Sequence, residues 1–242
     1  MSTAADLPAA RVELALSGSN VTGDVPFSCA LRLAGQVHGA RPAAGVRGDL
    51  TALVASLCAE HGVAPAAVTD VRVDVGPGSY TGLRVAVTFV RFLQHFGGVR
   101  VHACDSLALL AARARDARGR VHAVLDARRG RFHVQPFTVR DGAVAATAPA
   151  AAVPLPNVLA GIGAGDVVVR PAALAPALAA EVLARGAILR GEQELLAAEM
   201  FAVGLPFADA EAEDLEPRYL MASYAEDQPA AAAATSAAPP SA

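Results

Sequence analysis

The stretch "VDVGPGSYTGLR", residues 73–84, decides how this chain is read. An apolar, strand-like run ends in Gly76-Pro77-Gly78. Three hydroxyl-bearing residues follow, Ser79, Tyr80 and Thr81, then Gly82 and a long apolar helical pattern. A Gly-rich turn between strand and helix points free backbone N–H groups outward at the positive end of a helix dipole, as many phosphate sites do. The details here oppose that use. The GK[ST] ending of a P-loop is missing, the chain contains no Lys, and Pro77 has no N–H to give. Gly76-x-Gly78-x-x-x-Gly82 is one residue longer than the dinucleotide fingerprint. It also follows earlier strands and a helix instead of opening the first unit, although Asp105 stands beyond the next strand where a ribose-binding acid belongs. Ser79 directly follows Gly78, so there is no GxSxG elbow, and no His/Asp pair stands in a triad order. The turn chemistry supports a tight corner, with Gly76 and Gly78 at unusual φ and Ser79 or Thr81 capping the helix.

Outward from the turn, residues 82–96 carry the clearest helical pattern. Leu83, Ala86, Val87, Val90 and Leu93 share one stripe, while Val85, Phe89, Phe92 and Phe96 share an adjoining one. A helix apolar over so wide an arc buries more than one face. Residues 49–61 are also helical, from an Asp49 cap to a Gly62 stop. Strands are expected at 11–19, at 27–40 as a pair joined near Gly35, at 68–76 and at 99–103. In the strand 68–76, Val71, Val73 and Val75 form the buried face, and Arg72 and Asp74 the polar one. Asp105 and Ser106 cap a following helix, and 120–144 reads as strand, turn "DARRGR", strand. A helix around 172–185 and a strand near 187–189 complete the pattern; residues 225–242 are of low complexity and read as disordered. Strands alternating with helices make an α/β chain.

Composition narrows the function classes. Hydrophobic residues make up 54% and charged residues 18%, enough for a sizeable core, and the net charge of −3 gives no global basic field for nucleic acid. The arginines at 113, 115, 118, 120, 128, 129 and 131 cluster in sequence and read as a solvated helix end and a turn, with a nucleic-acid patch as the competing reading. Cys29, Cys58 and Cys104 are scattered in apolar surroundings, as expected of buried, reduced thiols in a cytoplasmic protein. No Cys/His metal spacing, signal peptide or membrane span is evident.

"GPGSYTGLR" (76–84) resembles the most recognisable motif of the TsaB family, usually GPGSFTGLR, with Tyr80 for Phe. Three further stretches agree in order. "CDSLALLAARA" (104–114) is similar to the family's Ser-Leu helix opening. "AVLDARRGRFHVQPF" (123–137) is similar to its DAR.GEVY hairpin, with Arg131, Phe132 and His133 for Glu, Val and Tyr. "LEPRYLM" (215–221) is similar to its EPVYLR, with Met221 for Arg. The match covers most of 11–221.

The resemblance implies the two-lobed ASKHA fold of actin, Hsp70 and sugar kinases, α/β with RNase-H-like lobes and mixed sheet. Residues 1–105 would form a first lobe with partner-binding helices, and 106–224 a smaller second lobe. It also implies a non-catalytic scaffold subunit of the complex that puts threonylcarbamoyl on an adenosine of tRNA. Such a subunit pairs with a TsaD-like catalytic subunit, joined by a TsaE-like ATPase. ATP or ADP and metal are expected on those partners and none on this chain, tRNA only through the complex, and a homodimer when the chain is alone. The implied partner-binding residues are Tyr80, Thr81, Leu83, Arg84, Val87, Val90 and Arg91, over a structural loop of Gly76, Pro77, Gly78, Ser79 and Gly82; no catalytic residue or metal ligand is implied. Ordinary core is the competing reading for Val87, Phe89 and Val90.

Two departures weigh against independent chemistry. The family's first strand ends IDTS, whereas "LALSGS" (14–19) puts Ser17 at the Asp position, and "AGVRGDL" (44–50) lacks the His that commonly precedes the first helix. The alternatives are an independent ASKHA phosphotransferase or peptidase, for which Asp74 and Asp126 are the strand-end acids, and a dinucleotide-binding domain.

Overall fold

The computed structural model describes residues 11–20, 25–43, 48–171, 176–192 and 195–221. The low-complexity tail, residues 44–47 of "AGVRGDL" and residues 172–175 of the expected helix 172–185 lie outside the described residues. Two mixed sheets organise the rest. The first contains β1 (Val12–Ser17), β2 (Ser28–Leu33), β3 (Gln36–Ala40), β4 (Asp70–Asp74), β5 (Arg100–Cys104) and the short β12 (Ala208–Ala210), in the order β12-β5-β4-β1-β2-β3. The second contains β6 (Arg120–Arg128), β7 (Arg131–Arg140), β8 (Ala143–Ala146), β10 (Val167–Pro171) and β11 (Ile188–Glu192), in the order β11-β10-β6-β7-β8, with β9 (Ala151–Pro154) on β7. Leaving β12 and β9 aside, both sheets run fifth-fourth-first-second-third. An antiparallel meander comes first and two parallel strands extend its other side.

The helices follow from their sequences. Asp49 accepts from the N–H groups of Thr51 and Ala52 and starts α1 (Leu50–Glu60). Ser79 accepts from Gly82 N and starts α2 (Tyr80–Gly97), which ends on Gly98 in the left-handed conformation. α2 lays Ala86, Val87 and Val90 on the first sheet, in one apolar cluster with Leu14, Leu16, Val71 and Val73, and buries Leu83 as well. α3 (Ser106–Ala111), capped by Asp105, is buried at all six positions. It clusters with Ala15 and Ala30 of the first sheet and with Val121, Leu125 and Phe137 of the second. α4 (Leu155–Ala160) and α5 (Pro176–Ala184) cover the other face of the second sheet through Val158, Leu159, Leu178 and Val182. After β11 the chain returns to the first sheet, where a 3-10 turn (Ala197–Phe201) packs on β1–β3 and β12 pairs with β5. Cys29, Cys58 and Cys104 are free and buried; burial pushes the Cys29 thiol up to about 12.

Candidate partner-binding face

The Gly76–Gly82 turn is built by close backbone approach. Gly76 has φ +111, and its N-terminal neighbour Val75 exchanges backbone bonds with Cys104 and Arg218, at 3.0 and 2.6 Å. Gly78 does not share the unusual φ expected of it. What its position requires is space, because a Cβ there would lie 2.3 Å from Ser19 O. Gly82 requires still more, since a Cβ would stand 2.0 Å from Gly18 O. The turn is thus pressed onto the loop that leaves β1, and Ser79 N donates to Ser19 O at 3.0 Å.

Beneath the turn, Asp74 overturns its expected place on a polar face. It is fully buried at the end of β4. Ser17 Oγ (2.8 Å), Ser19 Oγ, Ser106 Oγ (3.4 Å) and Gly18 N (3.2 Å) all donate to its carboxyl. Burial pushes its pKa above the usual carboxylate range, against the pull of those hydrogen bonds. Ser17 ends β1, Gly18 and Ser19 follow it in the loop, and Ser106 opens α3 just after β5. An enclosed carboxyl of this kind presents no open face to a metal ion. Asp126 is half-buried and accepts from Arg128 N at 2.7 Å, a turn role. Among the described residues no group of three His, Cys, Asp or Glu side chains converges.

α2 presents two different faces. Leu83, Val87 and Val90, expected among the partner-binding residues, are at most 2% exposed and belong to the core. The reason is register: they recur at the helical spacing that faces the sheet. The outward stripe is the adjoining one, where Val85, Phe92 and Phe96 are 39, 62 and 71% exposed. Thr81, Arg84 and Arg91 are exposed beside it. Tyr80 stacks on Tyr219 with ring centroids 4.9 Å apart and accepts from Arg84 Nη1 at 2.7 Å. An open apolar groove of about 760 Å³ runs along this stripe. Its walls include Val85, Phe89, Phe92 and Phe96 of α2, Thr51 of α1 and the turn around Pro65. Arg84 lies on its margin, and Arg91 borders an adjoining hollow with His95 and Glu213.

Comparison with known proteins fits this architecture. Residues 46–165 match the family model described as TsaD: tRNA N6-adenosine threonylcarbamoyltransferase. Over 96 residues the chain is 33% identical to the tRNA threonylcarbamoyladenosine biosynthesis protein TsaB of Bacillus subtilis (strain 168), a stretch covering 40% of this chain and 42% of that protein. Two solved structures from Pseudomonas aeruginosa superpose with a TM-score of 0.70 over 87% of this chain and 100% of theirs. One is YeaZ, 24% identical; the other is an uncharacterized protein with similarity to peptidase YEAZ, 25% identical. The chain is TsaB/YeaZ-like. Its fold is the ASKHA-like one, with two mixed sheets.

For this TsaB-like chain the sequence reading missed two features. The Asp74 cage is signalled only by a small hydroxyl run, Ser17-Gly18-Ser19, leaving a buried strand. The groove wall at Pro65 and Ala66 has no sequence signal of its own, since those residues count only once α2 lies beside them. No helix among the described residues is long and apolar enough to cross a membrane.

Proposed function

We propose that this chain is a non-catalytic subunit of a complex that transfers threonylcarbamoyl to an adenosine of tRNA, docking a TsaD-like catalytic subunit on the outward face of α2. The observation that carries this reading is the exposed Val85–Phe92–Phe96 stripe with its groove. Large aromatic side chains in a contiguous apolar hollow, rimmed by Arg84 and Arg91, have the composition of an interface core with a polar rim. The likeness to TsaB supplies the process. Ser17 in place of the expected acid, and the enclosure of Asp74, support the absence of chemistry in this chain. On this reading a TsaE-like ATPase joins the pair, nucleotide and metal bind to the partners, tRNA is met only in the complex, and the lone chain forms homodimers through the same face. The assembly works in the cytoplasm.

Light scattering of this chain, alone and mixed with the TsaD-like protein of its organism, tests the reading. A one-to-one complex is expected, lost on Phe92→Glu. Absence of association at micromolar concentration, or an unaffected Phe92→Glu complex, would reject the face.

A further inference from the structure

The stretch "LEPRYLM" (215–221) lies far from α2 in sequence, yet it ends beside the start of that helix. After β12 the chain is fastened at several points along α2. Gln94 Nε2 donates to Ala210 O at 3.1 Å near the C-terminal end. Leu215 is buried in the apolar cluster that holds Val87 and Val90. Arg218 N donates to Val75 O at 2.6 Å beside the turn, and Arg218 Nη1 pairs with Asp105 Oδ2 at 2.8 Å. These fixings bring Tyr219 onto Tyr80 as a stacked pair, with both rings more than two-fifths exposed. Tyr80 in turn holds Arg84, one helical turn on. Its hydroxyl accepts from Arg84 Nη1 at 2.7 Å, and the guanidinium carbon lies 5.3 Å from its ring centre. The motif resembled by residues 76–84 usually has Phe at this position, and Phe has no oxygen to offer. Arg84 lines the apolar groove, and among the described residues it forms no ion pair. Its remaining donors keep the planar fork that fits a carboxylate. Fixing a long side chain before association removes part of the ordering cost of binding.

We propose that Tyr219 is a positioning residue of the docking face, stacking on Tyr80 so that Arg84 is held ready for a carboxylate of the TsaD-like subunit. The apolar groove beside the guanidinium favours a protein carboxylate over an RNA phosphate. The proposal rests on the functional reading above and names the chemistry of the partner at that face.

The test measures affinity for the TsaD-like protein of the same organism across salt concentrations, with tRNA binding by the assembled pair as a second readout. Arg84→Ala and Tyr219→Ala are each expected to weaken the pair about tenfold. The double variant should lose little more than either, because both changes remove one contact. Arg84→Ala should also flatten the salt dependence. Tyr219→Phe keeps the ring and should restore wild-type affinity. Tyr80→Phe keeps the stack, releases the guanidinium and should weaken the pair. Should Tyr219→Ala lower the Tm of the lone chain, Tyr80→Phe carries the test, since it disturbs no packing. Independent effects, with a loss of about a hundredfold in the double variant, would make Tyr219 a contact in its own right and overturn the proposal. So would unchanged affinity in Arg84→Ala or Tyr80→Phe, or an unchanged salt dependence. Intact assembly with weakened tRNA binding would turn Arg84 towards a phosphate and overturn it too. Phe92→Glu separates the two readings. If it abolishes assembly while Arg84→Ala does not weaken it, this contact alone fails. If Phe92→Glu assembles normally, or the wild-type subunits do not associate, the functional reading fails and this contact with it.

Discussion

Asp74 sits where the parallel strands of the first sheet end, and three hydroxyls and one amide close around it. Removing the carboxyl leaves those donors buried without an acceptor, so Asp74→Ala is expected to cost about 2–4 kcal/mol of stability in urea unfolding. Asp74→Asn keeps an acceptor and costs less. The two chains should also differ in pH dependence. Burial raises the folded-state pKa of Asp74 above its unfolded value. The stability this group supplies is then complete below an unfolded pKa of about 3.9 and is lost as pH rises through the folded value. Acidification from neutral pH should therefore favour wild type over Asp74→Asn. A difference independent of pH would mean that the cage holds a permanent carboxylate. Gly82 gives a second residue-scale prediction with an inverted sign. Gly→Ala within a helix normally stabilises by about 1 kcal/mol. Here the new Cβ would stand 2.0 Å from Gly18 O, backbone that cannot swing aside. Gly82→Ala is expected to lower Tm by several degrees, and a raised Tm would show that the turn is loosely seated.

At the scale of the element, α2 shows what helical periodicity reveals and what it leaves open. Both apolar stripes are visible in residues 82–96, and so is the inference that each is covered. Which stripe meets the sheet is set by the entry angle of the chain, and that angle depends on Gly82 approaching Gly18 and Gly78 approaching Ser19 across the turn. Such contacts join positions far apart in sequence, so periodicity cannot place them. The assignment of Leu83, Val87 and Val90 to a partner fails for this reason, while Val85, Phe92 and Phe96 on the other stripe are exposed. The two faces give opposite expectations. Phe92→Glu should change the stability of the lone chain by no more than about 0.5 kcal/mol, as exposed sites do, while abolishing assembly. Val90→Glu puts a charge at a position with no exposure and should prevent folding altogether. Urea unfolding of both variants separates the cases; a large loss in Phe92→Glu would place that ring in the core.

For the whole molecule, the alternation of strands and helices was legible in the first half because each strand there carries its own apolar pattern; in the Ala-rich second half α5 and β11 lie close to their expected positions, whereas β9, α4 and β10 carried no expectation. The repetition of one strand order in two sheets was not, since pairing is long-range. Nor was the way the chain crosses back from the second sheet to the first after β11. That crossing is held by Asn20, in the loop after β1. Its amide accepts from Leu195 N at 2.8 Å and donates to Leu195 O at 3.0 Å and Val25 O at 3.2 Å, all buried. Two residues on, Ala197 N donates to Ser28 Oγ at 2.8 Å. Only an uncharged amide can give and accept in this way, so neither a carboxylate nor a hydrophobe of equal size replaces it. Asn20→Ala should cost about 2–4 kcal/mol and speed amide exchange at Leu195 and Ala197 more than within β4. Asn20→Asp, which keeps the acceptor and buries a charge, should do no better. If exchange at Leu195 in Asn20→Ala matched wild type, packing of Leu195 and Met200 in the core between the sheets would be holding the crossing without the amide.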